Sequence, residues 1–409
     1  MSERLKKWPP PWLFFILILP GGIFGTGFIA TPLPYLLGKA GVPVDKIAGI
    51  GSLLYIPAVF YFLWSPIVDI KLRRRTWLVL VSFLSAACFG AAIPLIGVRH
   101  LALMTSILVV AMVINTLVSS AQGGLMVGAL SPEGQAKASG WTQAGNLGGG
   151  AIGAGITLWL IGRVPIAIAA LAIAAMTAIP SLAALTIPEG TPPPQAGFVN
   201  QIAKIGRELV TALRSRRTLW GLLLLAAPVG SGAAQNLLPA IASAYRVGEQ
   251  GVLWVNGVGG GLVLALGSLL ATLLPGDWDR RVTYAGSGLL NALASMTLMI
   301  GNSPGIYFTG TILYLLTTGF CYARFLALVM DVLGPGEHGK STRYSLFLAA
   351  GNLPIAYVLA LDGLGYRHFG TKGLFGVDAA GNLLVFAIVG AAWLVQRRKP
   401  VPSAAMKKR

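Results

Sequence analysis

Twelve long apolar stretches dominate the sequence and constrain its fold more than any other feature. A helix needs roughly 20 apolar residues to cross the hydrocarbon core of a bilayer, and inside lipid its backbone polar groups must bond within the segment. Each stretch is therefore predicted to be a transmembrane helix, which gives an all-α membrane protein. The predicted spans lie near residues 11–31, 47–69, 76–97, 101–130, 138–161, 164–187, 218–244, 251–275, 282–301, 305–333, 342–363 and 374–396.

The composition excludes a soluble fold and argues against nucleic-acid binding. Hydrophobic residues make up 55% of the chain and charged residues only 11%, which is too apolar for a soluble domain of this length. The net charge is +18, but the cations lie in short loops between spans, with no long basic arm that carries interleaved aromatic residues. Cys88 and Cys321 fall in different apolar runs, so we expect no structural disulfide.

One long hydrophilic segment divides the chain into two sets of six spans. Residues 188–217 contain Pro192-Pro193-Pro194 and then a basic amphipathic piece. We therefore predict an N-terminal six-helix bundle over residues 1–187, a linker over 188–217, and a C-terminal six-helix bundle with a basic tail over 218–409.

The distribution of positive charge predicts the orientation. Of the 31 Lys and Arg residues, 23 fall in the segments on the same side as the termini, 7 fall in the loops on the other side, and Arg324 lies within a span. Cytoplasmic loops carry the excess of Lys and Arg. We predict a multi-pass protein of the bacterial inner membrane with both termini in the cytoplasm.

Two short motifs repeat between the halves. Phe62–Asp69 reads FLWSPIVD and precedes a cluster of arginines that includes Arg73 and Arg74. Asp277 and Arg281 repeat the spacing of Asp69 and Arg73 at an offset of 277 − 69 = 208 residues, about half the chain. The connectors at residues 131–137 (SPEGQAK) and 334–340 (GPGEHGK) form a second pair. Two similar halves in a membrane protein are typical of a secondary transporter.

These motifs resemble those of the major facilitator superfamily. The stretch from Ser65 through Asp69 to Arg73 and Arg74 is similar to its G-x-x-x-D-x-x-G-R-K motif, and residues 61–69 (YFLWSPIVD) resemble the K-F-L-W-A-P-L-V-D of the AmpG-like branch. Tyr61 stands where that branch has lysine. The resemblance implies a rocker-switch carrier lined by spans 1, 4, 7 and 10. It also implies an amphipathic or anionic cargo such as a muropeptide, moved with protons.

Arg324 is the strongest candidate for cargo binding. It lies about nine residues inside span 10, roughly 14 Å deep at 1.5 Å per residue. A charge at that depth should face the protein interior or a wet cavity. Its guanidinium suits a carboxylate or phosphate, although it could instead pair with Asp331, seven residues later on the same helix face.

Neutral polar residues on the expected lining spans are candidates for hydrogen bonding to the cargo, and Tyr61 could stack on a ring. The alternative for each is a bond between helices, which membrane proteins use routinely. The polar candidates are Thr26, Asn115, Gln122, Gln235, Asn236, Thr317 and Tyr322.

Acidic residues at the span ends are candidates for gating and coupling. Asp69 and Asp277 can cap a neighbouring helix or pair with the arginines of their elbows, Arg73, Arg74 and Arg281, and so latch one conformation. Asp362, at the end of span 11, is either a protonation site or a solvated loop acid. Asp331 is the next coupling candidate because it lies close to Arg324 in sequence.

An enzyme is not predicted. His100, His338 and His368 fall in different loops on two sides of the membrane, and no catalytic triad or phosphate-binding loop is present in the sequence. We expect a monomer in the lipid bilayer that binds a small-molecule substrate and protons, with no cofactor and no metal. The alternatives left open are a siderophore, lysolipid or drug carrier of the same superfamily and a non-transporting membrane sensor.

Overall fold

The computed structural model describes residues 9–69, 72–188, 203, 206–207, 210–211, 213–275, 278–333 and 340–398. Asp277, the connector over residues 334–339 and most of the linker over 188–217 lie outside this part of the chain. The regular structure of the described residues is helical throughout. The helices are α1 (Leu13–Lys39), α2 (Val44–Leu63), α3 (Arg74–Leu95), α4 (Val98–Ala129), α5 (Pro132–Ile161), α6 (Ile166–Thr186), α7 (216–245), α8 (Glu249–Leu273), α9 (Arg280–Thr297), α10 (Pro304–Leu333), α11 (340–369) and α12 (371–398).

The all-α prediction is confirmed, and each predicted span overlaps one of these helices, with ends that differ by up to eight residues. In the described part of the chain, nine helices are long and apolar enough to cross a membrane. One of them runs over Leu346–Val395 and contains most of α11 and most of α12, which are separated by a backbone turn at Gly370 with φ +61°. The two helices that do not meet this length and hydropathy test are α7, which is interrupted, and α9, which is rich in polar residues.

The helices form two bundles, α1–α6 and α7–α12. In the first, a buried cluster joins Leu13 at the start of α1 to Leu125 near the end of α4 and Ala184 near the end of α6. In the second, Leu225 of α7 meets Val332 near the end of α10 and Val385 of α12. The described ends of the chain therefore lie on one side, called here the termini side; the opposite side is called the far side.

The two bundles are joined mainly on the far side. A shared core there includes Leu37 of α1, Ile47 of α2, Ile241 of α7 and Leu359 of α11. Glycines allow the closest approaches: a Cβ at Gly38 of α1 would lie 3.0 Å from a carbonyl oxygen of α7. The α2–α11 contact reaches furthest toward the termini side, where an asparagine of α11 donates to a carbonyl of α2 at 3.1 Å.

Both α1 and α7 lose regular α-helical geometry at equivalent positions of the two halves. A π-helix occupies Gly22–Phe28 of α1. In α7 the α-helix Arg216–Leu225 ends, and a short 3-10 turn resumes only at Ala234–Asn236. Pro228 cannot donate a backbone hydrogen bond. Subtracting the offset of 208 from the interrupted residues 226–233 gives residues 18–25, which overlap the π-helix of α1.

Candidate substrate site, gates and acid pair

The interruption of α7 is held by Asn236. Its side-chain Nδ2 donates to the carbonyl oxygens of Gly232 at 3.2 Å and Ala233 at 3.1 Å. Its Oδ1 accepts a hydrogen bond of 2.9 Å from the hydroxyl of Tyr55 on α2. One buried amide thus satisfies the carbonyls freed by the break and also bonds the second bundle to the first.

Gln235 and Tyr322 lie beside the same break. The Tyr322 hydroxyl of α10 donates to the carbonyl of Ser231 at 3.2 Å. A Cβ at Gly232, where φ is +70°, would lie 2.5 Å from the Tyr322 hydroxyl oxygen and 3.0 Å from Gln235 Nε2. Three of the predicted binding residues, Gln235, Asn236 and Tyr322, are therefore brought together, in contact with Tyr55 of the opposite bundle. This group of four residues is called here the central polar cluster.

The polar residues predicted on α1 and α4 do not form a single group. Asn115 is buried, and its Oδ1 has no hydrogen-bond partner among the described residues. Thr26 donates to carbonyls of Gly22 and Asn146 and is exposed. Gln122 donates to Phe14 O at 2.9 Å and Thr142 Oγ1 at 3.1 Å, so it connects α4 with α1 and α5.

Thr317 takes part in bonding within the C-terminal bundle. Its hydroxyl donates to carbonyls one turn back along α10 and accepts from Asn291 Nδ2 of α9 at 3.0 Å. Tyr61 lies at the termini-side end of α2 and is half-buried.

Arg324 is 7% exposed, so it faces the protein interior as its depth requires. Its Nε and Nη1 are buried and have no hydrogen-bond partner in the part of the chain that the structure describes. A second cation, Arg280 at the start of α9, is close enough to act on it. Asp331 is exposed. Buried guanidinium donors without acceptors beside a second cation favour an anion.

The α2–α3 elbow is bound to α4 and α6 through its arginines. Arg74 Nη1 donates to the carbonyl of Gly124 at 2.7 Å, and Arg75 Nη1 donates to that of Ile187 at 3.3 Å. Arg73 is exposed and directly precedes the α-helix of α3. Asp69 ends the short 3-10 helix Ser65–Asp69, and its side chain lies outside the described structure.

The second elbow is capped by a neighbouring acid. Asp279 Oδ1 accepts from the backbone nitrogen of Arg281 at 2.8 Å and from that of Val282 at 3.4 Å. Asp279 is therefore the N-cap of α9, while the Arg281 side chain is exposed. Asp277, the residue singled out by the repeat, lies outside the described residues.

Two acids are buried in the C-terminal bundle. Asp378 of α12 is 1% exposed and accepts hydrogen bonds from the hydroxyls of Ser295 on α9 and Tyr314 on α10. Asp362 of α11 is 0% exposed, and neither carboxylate oxygen has a partner among the described residues. Gly365 of α11 packs against Gly373 of α12, which brings both acids into the same buried region. They are called here the acid pair.

Sequence reasoning found one member of this pair and missed the other. The apolar stretch stops at residue 363 and therefore predicts that Asp362 ends its span, but α11 continues to residue 369 and buries it. Asp378 lies inside the predicted span 374–396, and an acid within an apolar stretch was the signal that could have identified it.

The fold matches known transporter structures. The chain is similar to a D-xylose-proton symporter (13% identity, 92% of this chain and 96% of that chain, TM-score 0.68). It is also similar to the nucleoside transporter NupG (14%, 93% and 98%, TM-score 0.68) and to a bacterial homolog of the human lysosomal transporter Spinster in an inward-facing, occupied conformation (14%, 95% and 96%, TM-score 0.67).

A search of curated proteins found no match to this chain. The family model described as Major Facilitator Superfamily matches residues 13–342, which is most of the sequence. The chain therefore belongs to the major facilitator superfamily.

Proposed function

We propose that the protein is a secondary active transporter that moves an organic solute across the membrane by alternating access. The observation that carries this proposal is the interruption of α1 and α7 at equivalent positions of the two halves. Interrupted helices in corresponding positions are the best structural pointer to a transporter's binding site. Here the α7 interruption carries the central polar cluster, which lies where the bundles meet.

The contacts between bundles support a conformation that is closed on the far side. Lys39 Nζ and Glu249 Oε2 form an ion pair of 3.3 Å there, and Thr31 of α1 donates to the carbonyl of Asn256 of α8 at 3.2 Å. With the orientation predicted from the loop charges, the closed side is the outer face of a bacterial inner membrane. The cargo site would then exchange solute with the cytoplasm in this state.

The chemistry of the central region supports a polar cargo that carries an anionic group. The central polar cluster offers amide and phenol groups that donate and accept hydrogen bonds. Arg324 supplies a buried cation whose donors lack partners in the described structure. We propose an AmpG-like cargo, such as a sugar-peptide fragment of the cell wall. Proton coupling is supported by the likeness to a solved structure named as a proton symporter.

Uptake by the purified protein in liposomes tests this function. A panel of labelled muropeptides, siderophores and lysolipids is offered with and without an imposed pH gradient. We expect muropeptide uptake that the gradient accelerates and that unlabelled muropeptide competes away. Uptake of only a siderophore or lysolipid would overturn the cargo assignment. Failure of every solute to exchange across correctly inserted protein would overturn the transporter function in favour of a sensor.

A further inference from the structure

We propose that Asp362 and Asp378 form a proton-binding pair that couples an inward-directed proton gradient to the movement of the bundles. This inference rests on the proposed carrier function and assigns the coupling ion and its site. It concerns an element that the predicted cargo site does not use, since the acid pair lies on α11 and α12 inside the C-terminal bundle.

The helical hairpin sets the two acids at the same depth. Asp362 and Asp378 each lie eight residues from Gly370, where the chain reverses, which is about 12 Å along either helix. Gly365 and Gly373 allow the two helices to touch, since a Cβ at Gly365 would lie 2.5 Å from the carbonyl oxygen of Gly373. The two acids are therefore brought together by the hairpin of α11 and α12, although they are not neighbours in the sequence.

The surroundings of the two carboxyl groups differ, and this difference assigns the proton. Asp378 accepts hydrogen bonds from Ser295 and Tyr314, and such donors stabilise a carboxylate. Asp362 has no donor in the described structure, and a buried carboxylate without donors is strongly disfavoured. Two adjacent carboxyl groups also resist carrying two charges at once. In this conformation the pair holds one proton, on Asp362, and one charge, on Asp378.

The titratable groups that face the pair leave this assignment intact. On α10 these are Tyr314 and Cys321, and on α7 Tyr245 lies near the start of α12; on α2, the main chain of Asp45 packs against Gly363. Phenol and thiol groups are neutral near pH 7, and Asp45 is a further acid. The influences that act on the two acids are thus burial, hydroxyl groups and another carboxyl group, so we infer that a proton compensates the second carboxyl group.

The far-side contact between α2 and α11 links the proton site to the bundle movement. Gly363, adjacent to Asp362, packs on Asp45 and Ala48 of α2, and Leu359, one turn away, packs on Gly51. These contacts cover the face of α11 next to Asp362 while the far side is closed. When the bundles separate there, α2 leaves this face and water reaches the acid. Proton exchange with the far side is therefore confined to the open state.

A chain of hydrogen bonds connects the pair to the interruption of α7. Asn382, one turn beyond Asp378, donates to the Asp378 carbonyl at 3.0 Å and to Asn291 Oδ1 at 3.4 Å. Its Oδ1 accepts from the backbone nitrogen of Gly230 at 2.7 Å. Gly230 begins the segment that Asn236 holds in place, so the main chain of Asp378 is connected to the central polar cluster through bonded groups.

Infrared difference spectroscopy tests the site with the proton as the only ligand. Spectra of the full-length protein in liposomes are compared between acidic and alkaline pH, in water and in heavy water. We expect a carboxylic-acid band that is lost in Asp362→Asn, shifted in Tyr314→Phe, and kept in the control Asp45→Asn. Tyr314→Phe removes a donor to Asp378 without removing an acid. Absence of the band in the wild type, or its persistence in Asp362→Asn, would overturn the proposal.

A transport assay separates this inference from the proposed function. With labelled muropeptide as the probe, Asp362→Asn is expected to lose accumulation driven by the pH gradient but to retain exchange of internal for external solute. Retained uphill accumulation in that variant would overturn the coupling site alone. Loss of exchange in the wild type would overturn the carrier function, while the infrared result would still decide whether the pair binds a proton.

Discussion

At the scale of single residues, the unusual feature of this protein is buried charge without partners. Arg324 and Asp362 are both buried, and the described residues supply no hydrogen-bond partner to Arg324 Nε and Nη1 or to either Asp362 oxygen. Leaving charged groups unsatisfied destabilises a fold, so such residues mark sites where a ligand or proton completes the bonding. One residue is basic and the other is acidic, and they lie on different helices, so we propose the first for cargo binding and the second for proton binding.

Arg324→Gln is expected to abolish uptake of an anionic cargo while the fold is retained. A hydrogen bond to a charged group contributes about 1.5–3 kcal/mol, so its loss corresponds to at least about tenfold weaker cargo binding. Thermal stability should hold or rise, because a buried charge is removed. Uptake in liposomes and thermal unfolding in detergent measure both effects. Arg367→Gln, at an exposed arginine of α11, is the matched control. Normal uptake by Arg324→Gln would leave this arginine a structural residue.

At the scale of elements, the interruption of α7 depends on backbone geometry that few residues tolerate. Gly230 and Gly232 have φ of +52° and +70°, a region that costs other residues roughly 1–2 kcal/mol. These conformations let the chain leave the helix at Ala226 and re-enter it at Ala234, and Asn236 bonds the carbonyls left free between them. The break is thus specified by glycine, proline and one amide together.

Gly232→Ala is expected to lower stability and transport together. Its Cβ would meet the Tyr322 hydroxyl at 2.5 Å, and the positive φ adds strain, so we expect a loss of about 1–2 kcal/mol in unfolding free energy. The displaced Tyr322 would also distort the central polar cluster. Thermal unfolding and uptake are measured against Gly286→Ala, where an added Cβ meets no atom within 4 Å. Equal stability of the two variants would show that the α7 break does not require this geometry.

At the scale of the whole molecule, two bundles meet on one side and share a core there. The ion pair between Lys39 and Glu249 joins α1 to α8, and their side chains are 63% and 34% exposed. Exposed ion pairs contribute up to about 1 kcal/mol, so this pair biases the equilibrium between conformations without locking it. That is suitable for a carrier, which has to open and close the same contact repeatedly.

Glu249→Gln is expected to shift the equilibrium toward opening on the far side by up to about fivefold, in proportion to a pair worth about 1 kcal/mol. Spin labels at Ala40 and Gln250, in a background without Cys88 and Cys321, report the far-side distance. The distribution should gain a longer component, and high salt should reproduce part of the effect in the wild type. The charge swap Lys39→Glu with Glu249→Lys should restore the short distance. An unchanged distribution in Glu249→Gln would exclude this pair from the gate.

Hydropathy and repeated motifs by themselves determined the helices, the division into two halves and the superfamily. This is possible because lipid imposes a local rule: each crossing segment must be long, apolar and internally bonded. Which residues meet was decided by the tertiary structure. The hairpin at Gly370 brings Asp362 to Asp378, and the α7 break brings Asn236 to Tyr55; both depend on how distant segments pack. Contacts between residues that are far apart in the sequence cannot be predicted from their separation along the chain. Only the packing of the helices therefore revealed the acid pair and the bonds that connect it to α7.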